Sequence, residues 1–251
     1  MNKQEFNEMQ DEFANYVYQY ENFIKAGIIN DAFYNQYFYN DVLRLHRVEV
    51  ENNIMISALK RLGEKVDIED VKKEITANIE KYNNEQKVIA EKELKAKSIV
   101  NVTKNMSKDD LIKLENDYLA FVKKNHPAVK CKVDSAEQQA FILIRQMYYE
   151  NNAGGFYELL ETYKSTFKDV EYEEKEYNSI SGYYFEIKAN INKDFNIKQK
   201  QYPYTKFDVL KDEITIARET GDIRAKINDL KRAHEAVSKD FKNAFGFELT
   251  M

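Results

Sequence analysis

The side chains equipped for chemistry are few and scattered. His46, His126 and His234 lie far apart in the chain, and Cys131 is its single cysteine. No His-Glu-x-x-His helix and no cysteine pair occurs, so a structural zinc site lacks ligands. The 7 glycines are dispersed and form no phosphate-cradling loop. Carboxylates are abundant, but they fall on what read as solvated helix faces. Acid–base work needs a carboxyl group perturbed by burial or by a close like charge, and the sequence singles out no such pair. His234 sits on a helical seam and reads as a core or boundary residue, and His46 reads as a flanking one. Cys131 lies between Lys130 and Lys132, whose charge favours a thiolate, yet no acid–base partner stands near it. These patterns predict a chain that is not an enzyme and holds no metal and no cofactor.

One constellation is denser. Tyr118-x-x-Phe121-Val122-Lys123-Lys124-Asn125-His126-Pro127 is followed, after a short loop, by Phe141-x-x-Ile144-x-x-Met147-Tyr148. Residues 118–133 hold Lys123, Lys124, Lys130 and Lys132 and no acid. Lysines so placed either meet a protein partner or complement the C-terminal end of a helix; both readings stay open here.

This pattern resembles the J-domain of DnaJ-type cochaperones. There a basic helix ends in a His-Pro-Asp loop, and a helix of the form Phe-x-x-Ile-x-x-Ala-Tyr packs antiparallel against it. Met147 replaces the usual alanine. With its long flanks, including the stretch from Gly63 to Glu69 and Tyr202-Pro203-Tyr204, the chain resembles coiled-coil-flanked J-like bacterial proteins. The resemblance implies a protein partner, a DnaK-type chaperone, met by His126, Pro127, Lys123, Lys124, Lys130 and Lys132. It also exposes a departure, because the tripeptide here is His126-Pro127-Ala128. Alanine accepts no hydrogen bond and pairs with no cation, and losing one partner of an interfacial charge pair costs roughly 2–5 kcal/mol. The resemblance therefore implies a J-like adaptor or degenerate cochaperone. The alternative is a purely structural coiled-coil scaffold or oligomerisation protein carrying a relic hairpin.

The elements that position this turn read as helices throughout, an all-α fold class. Gly and Pro are rare, at 7 and 2 in 251 residues, so the helices between them must be long. An aromatic-rich helix is expected over 3–25, with a break at Gly27 and Asn30-Asp31. A seven-residue repeat then runs over 31–62, with Phe38, Leu45, Asn52 and Leu59 on one seam position and Asp41, Val48, Met55 and Leu62 on the other. Gly63 ends it, and a matching helix over 68–100 folds back as an antiparallel hairpin. Polar seam residues such as Asn52 fix register at a cost in stability. Ser107 with Asp110, and Ser135 with Gln138, read as the starts of helices over 108–125 and 136–151, the second ending at Gly154-Gly155. Seams over 167–200 and 208–243 predict a second long hairpin. The expected segments are 1–104, 105–166 and 167–251.

Composition bounds the partners. A net charge of -5 and a pI near 5.5 argue against nucleic acid, whose binders carry a basic stripe. No apolar run approaches the ~20 residues that span a bilayer. The N-terminus, Met1-Asn2-Lys3-Gln4-Glu5, carries amides and an acid where a leader would carry an apolar core. With one cysteine, the expected location is the reducing cytoplasm. Oligomeric state stays open, since antiparallel seams close within one chain or between copies.

Overall fold

The computed structural model describes all 251 residues, Met1–Met251. It contains α-helices and no strand: α1 (Lys3–Gly63), α2 (Ile68–Asn105), α3 (Lys108–Asn125), α4 (Pro127–Lys130), α5 (Ser135–Tyr149), α6 (Ala153–Thr162), α7 (Tyr177–Lys198) and α8 (Glu213–Phe245). Two 3-10 segments, Glu174–Glu176 and Tyr204–Leu210, precede the last two helices. No helix is long and apolar enough to cross a membrane.

The chain gathers into two compact units. One is Met1–Ala32 with Lys97–Phe207, and the other is Phe33–Ala96 with Asp208–Met251. These do not coincide with the segments 1–104, 105–166 and 167–251. The middle segment lies wholly inside the first unit, and each flank contributes to both. The reason is that α1 and α2 are continuous across the boundary between units.

In the first unit, Phe13, Val17, Tyr118, Phe141, Tyr148 and Phe156 form the centre of a single apolar cluster. In the second, Tyr34 and Phe38 pack with Ile223 and Ile227. A separate cluster joins Met55 and Ala58 to Val71, Ile75, Phe241 and Phe245. Burying side chains of this size contributes roughly 1.5–3 kcal/mol each, which explains why seam residues, rather than propensity, hold such long helices. Asn52, the polar break in the seam, is buried. Its Nδ2 donates to the Leu230 carbonyl at 2.9 Å, and its Oδ1 faces His234 Nδ1 at 3.0 Å. Only one register of α1 against α8 satisfies both contacts.

The expected break at Gly27 and Asn30-Asp31 is absent, and α1 runs unbroken from Lys3 to Gly63. A helical glycine costs only about 1 kcal/mol relative to alanine, and here tertiary contacts use the site. Tyr204 lies over Gly27 and stacks on Phe23, with ring centroids 4.2 Å apart. Asn30 Nδ2 donates to the Pro203 carbonyl at 2.9 Å, and Tyr202 donates its hydroxyl to Asp31. The polar residues that read as a break are thus the landing site of 202–204. A Cβ at Gly27 would stand 2.6 Å from a Tyr204 ring carbon. Gly27→Ala is therefore expected to destabilise by about 1–3 kcal/mol through overpacking, despite the helix propensity gained. Urea unfolding checks it: Tyr204→Ala should remove most of the penalty in the double variant, and a stabilised Gly27→Ala would show that the ring moves aside freely.

Candidate functional site: the His-Pro turn

The turn begins where α3 must stop. Ser107 Oγ caps the start of α3 by accepting from the Asp110 N–H at 3.1 Å. Its buried stripe is Leu114, Tyr118, Phe121 and Val122. Pro127 disfavours helical geometry in the residue before it, and His126 accordingly has φ -63° and ψ 127°. Pro127 is then the first residue of the short helix α4, a position that tolerates the missing N–H. On the far side, α5 is capped by Asp134 in a reciprocal box with Glu137, one residue before the Ser135–Gln138 box that the sequence suggests. The aromatic spacing brings α5 onto α3. Tyr118 stacks on Tyr148 at 3.6 Å, Phe121 stacks on Phe141 at 5.4 Å, and Phe156 meets Tyr118 edge-on. Gly154-Gly155 does not end α5; both residues lie in the first turn of α6, capped by Asn152.

His126 points inward. Its side chain is 12% exposed, and its ring packs edge-on against Phe141. Nδ1 accepts from the Ala128 N–H at 3.1 Å, and Nε2 lies 3.4 Å from Glu21 Oε1. An imidazole nitrogen that accepts from an N–H carries no proton, so the neutral ring bears its proton on Nε2, facing the carboxylate. Glu21 is itself buried. It also receives the hydroxyls of Tyr118 and Tyr149 and lies 3.6 Å from Arg145 Nη1. Burial alone would raise its pKa. The His126 and Tyr149 hydrogen bonds and the Arg145 charge outweigh it and hold the carboxyl below its ordinary range. Burial beside this carboxylate raises the Tyr118 and Tyr149 phenols well above theirs.

A glutamate–histidine pair suggests a general base; here the contacts of both groups are internal. Nδ1 is committed to the backbone, and the carboxylate is committed to four neighbours. Burial pushes the Cys131 thiol up to about 11, a direction that disfavours the thiolate. No group of three or more His, Cys, Asp or Glu side chains comes together in a way that would hold a metal ion.

The lysines divide into two sets. Lys130 is buried, 3% exposed, against the equally buried Glu137. The others reach the surface, each facing a carboxylate: Lys123 on Asp11 at 2.6 Å, Lys124 on Asp169 at 2.9 Å and Lys132 on Glu176 at 2.7 Å. The backbone of α4 is clamped as well. Tyr184 donates to the Val129 carbonyl, and Tyr172 donates to the Lys130 carbonyl. Pro127 and Ala128 are half-buried. The structure thus brings His126, Lys130 and the turn backbone into the interior and leaves Lys123, Lys124 and Lys132 at the rim.

Residues 167–173 are not helical, although Val170 fits the seam pattern that runs on to Ile191. Lys168 donates its N–H to Glu137 Oε1 at 3.0 Å and its ammonium to Asp134 at 2.8 Å. Those contacts hold the segment extended across the turn, and α7 begins only at Tyr177. Sequence reasoning passed over Glu21, Glu137 and Tyr172, and read Tyr184 only as a seam residue. Glu21 carried a signal: it continues the buried stripe of Ala14 and Val17 at helical spacing, where a carboxylate is out of place unless paired.

Comparison of the whole chain with protein-family models, with curated proteins and with solved structures gives no match.

Proposed function

We propose that the chain is a non-catalytic cytoplasmic scaffold acting through protein–protein contacts, with the His-Pro turn serving as an internal joint. One observation carries this reading: the turn's own polar groups are used within the chain. His126 is bound at both ring nitrogens, Lys130 is paired in the interior, and two tyrosines hold the α4 carbonyls. A turn so occupied ties α1, α5 and α7 together, which is a structural task. The joint reading expects that the purified chain leaves the ATPase rate of a DnaK-type chaperone unchanged. It expects the same of Ala128→Asp, because restoring the acid does not free the inward-facing histidine. Stimulation by either protein would overturn it.

A J-like adaptor is the second reading, supported by the rim. Lys123, Lys124 and Lys132 are 36%, 64% and 48% exposed. Exposed ion pairs contribute about 0–1 kcal/mol, so these lysines can exchange their own carboxylates for those of a partner. Charge reversal at all three should abolish chaperone binding by titration calorimetry if the adaptor reading holds. Binding that survives the reversal rejects it.

A further inference from the structure

A cleft of about 320 Å³ opens beside the turn in the first unit. Four lysines from three helices line it: Lys3 on α1, Lys123 and Lys124 on α3, and Lys130 on α4. Its apolar wall is an aromatic sandwich, in which Phe6 stacks on Tyr177 at 4.2 Å and meets Tyr172 edge-on at 5.4 Å. The volume lies at the small end of ligand pockets. It suits a small molecule and is too small for a folded partner.

The charges in the cleft differ in how firmly they are held. Lys130 is locked in the interior by Glu137. The partners of Lys123 and Lys124 are loose, since Asp11 is 56% exposed and Asp169 is 84% exposed. Two such exposed carboxylates are weak, water-screened partners. A phosphate carries nearly two charges and three acceptor oxygens on one atom, so it can satisfy several lysines at once where each carboxylate satisfies one. We propose that this cleft binds a small phosphorylated molecule bearing an aromatic or other flat apolar body. The phosphate is held by Lys3, Lys123 and Lys124, and the body lies against Tyr172. Asp169 and Glu171, which also line the cleft, compete with the phosphate for the lysines. This site is independent of the scaffold reading.

Competition gives the test two signs. Calorimetric titration of the full chain with phenyl phosphate should show one saturable site tighter than about 1 mM. Inorganic phosphate should bind several-fold more weakly, because it lacks the body. Lys124→Gln should weaken phenyl phosphate severalfold, and Asp169→Asn should tighten it about two- to fivefold. Both substituted positions are exposed, and circular dichroism verifies that both variants fold. Absence of saturable binding overturns the proposal. So does an equal response to sulfate and phenyl phosphate at matched ionic strength, unchanged in both variants, which would mean an adventitious ion only.

Discussion

Glu21→Leu is expected to lower the unfolding free energy by roughly 3–5 kcal/mol, the usual loss when one member of a buried charged group is removed. The size follows from what is left behind. Tyr118, Tyr149 and His126 all direct hydrogen-bond donors at this carboxylate, and Arg145 stands 3.6 Å away. A leucine fills the space and accepts nothing. Each stranded buried donor costs about 1–3 kcal/mol. Glu21→Gln keeps an acceptor oxygen, so its loss should be distinctly smaller. Equilibrium urea unfolding of the two variants checks the order, and equal losses would show that shape rather than hydrogen bonding matters at this site.

The same carboxyl gives a pH dependence with a definite sign. Its folded pKa lies below the ordinary value of 4.5. The folded state therefore binds its proton less readily than the unfolded chain does. The associated stability is fully present above the unfolded value and is lost as pH falls from there through the folded pKa. Glu137, Asp134 and Asp194 are lowered too, so the useful quantity is a difference. Between about pH 5 and 3, wild type should lose more stability than Glu21→Gln. Parallel curves would remove Glu21 from the acid response.

Much of the fold was legible because it is written in local spacing. The stripe Leu111, Leu114, Tyr118, Phe121, Val122 and its counterpart Ala140, Phe141, Ile144, Met147, Tyr148 specify two helices and their facing sides, and all are buried except Leu111 and Met147, which are half-buried. Gly63 and Asp67 bracket the change from α1 to α2, although the left-handed residue of that turn is Lys65, at φ 63°, and not Gly63. What failed were inferences in which a local preference of about 1 kcal/mol competed with distant contacts. Gly27 reads as a break until Tyr204 is placed over it. Val170 reads as a seam residue until Lys168 is anchored to Glu137 and Asp134. The candidate site was only partly legible for a related reason. Sequence alone shows four lysines without an acid between residues 118 and 133, and that reads equally as a partner-facing basic surface or as a complement to a helix end. Their carboxylates come from positions 11, 137, 169 and 176, and Glu21 lies 105 residues before His126. Only the packing of α1, α7 and the 167–173 segment around the turn decides which of its side chains face inward.

That distinction matters most at Lys130, which the J-like resemblance marks for a partner and the packing commits to Glu137. Lys130→Met is expected to cost about 3–5 kcal/mol, because it leaves a carboxylate with 4% exposure and no cation. Glu137 would retain only the N–H groups of Asp134 and Lys168. A second substitution separates charge from packing. In Lys130→Met/Glu137→Gln the uncompensated charge is gone and a carbonyl still accepts from those N–H groups, so about 2 kcal/mol or more of the loss should return. The pH response of the single variant should also weaken. With Lys130 present, Glu137 is held below its ordinary range, and its contribution fades in acid. Without the ammonium, the largest cause that lowers the carboxyl is gone while burial still raises it, so less of the variant's stability depends on the ionised form and its penalty relative to wild type shrinks in acid. Denaturation midpoints at pH 7 and pH 5 test both claims. A Lys130→Met protein that is as stable as wild type at pH 7 would return Lys130 to the surface, and with it the possibility that a partner reads it directly.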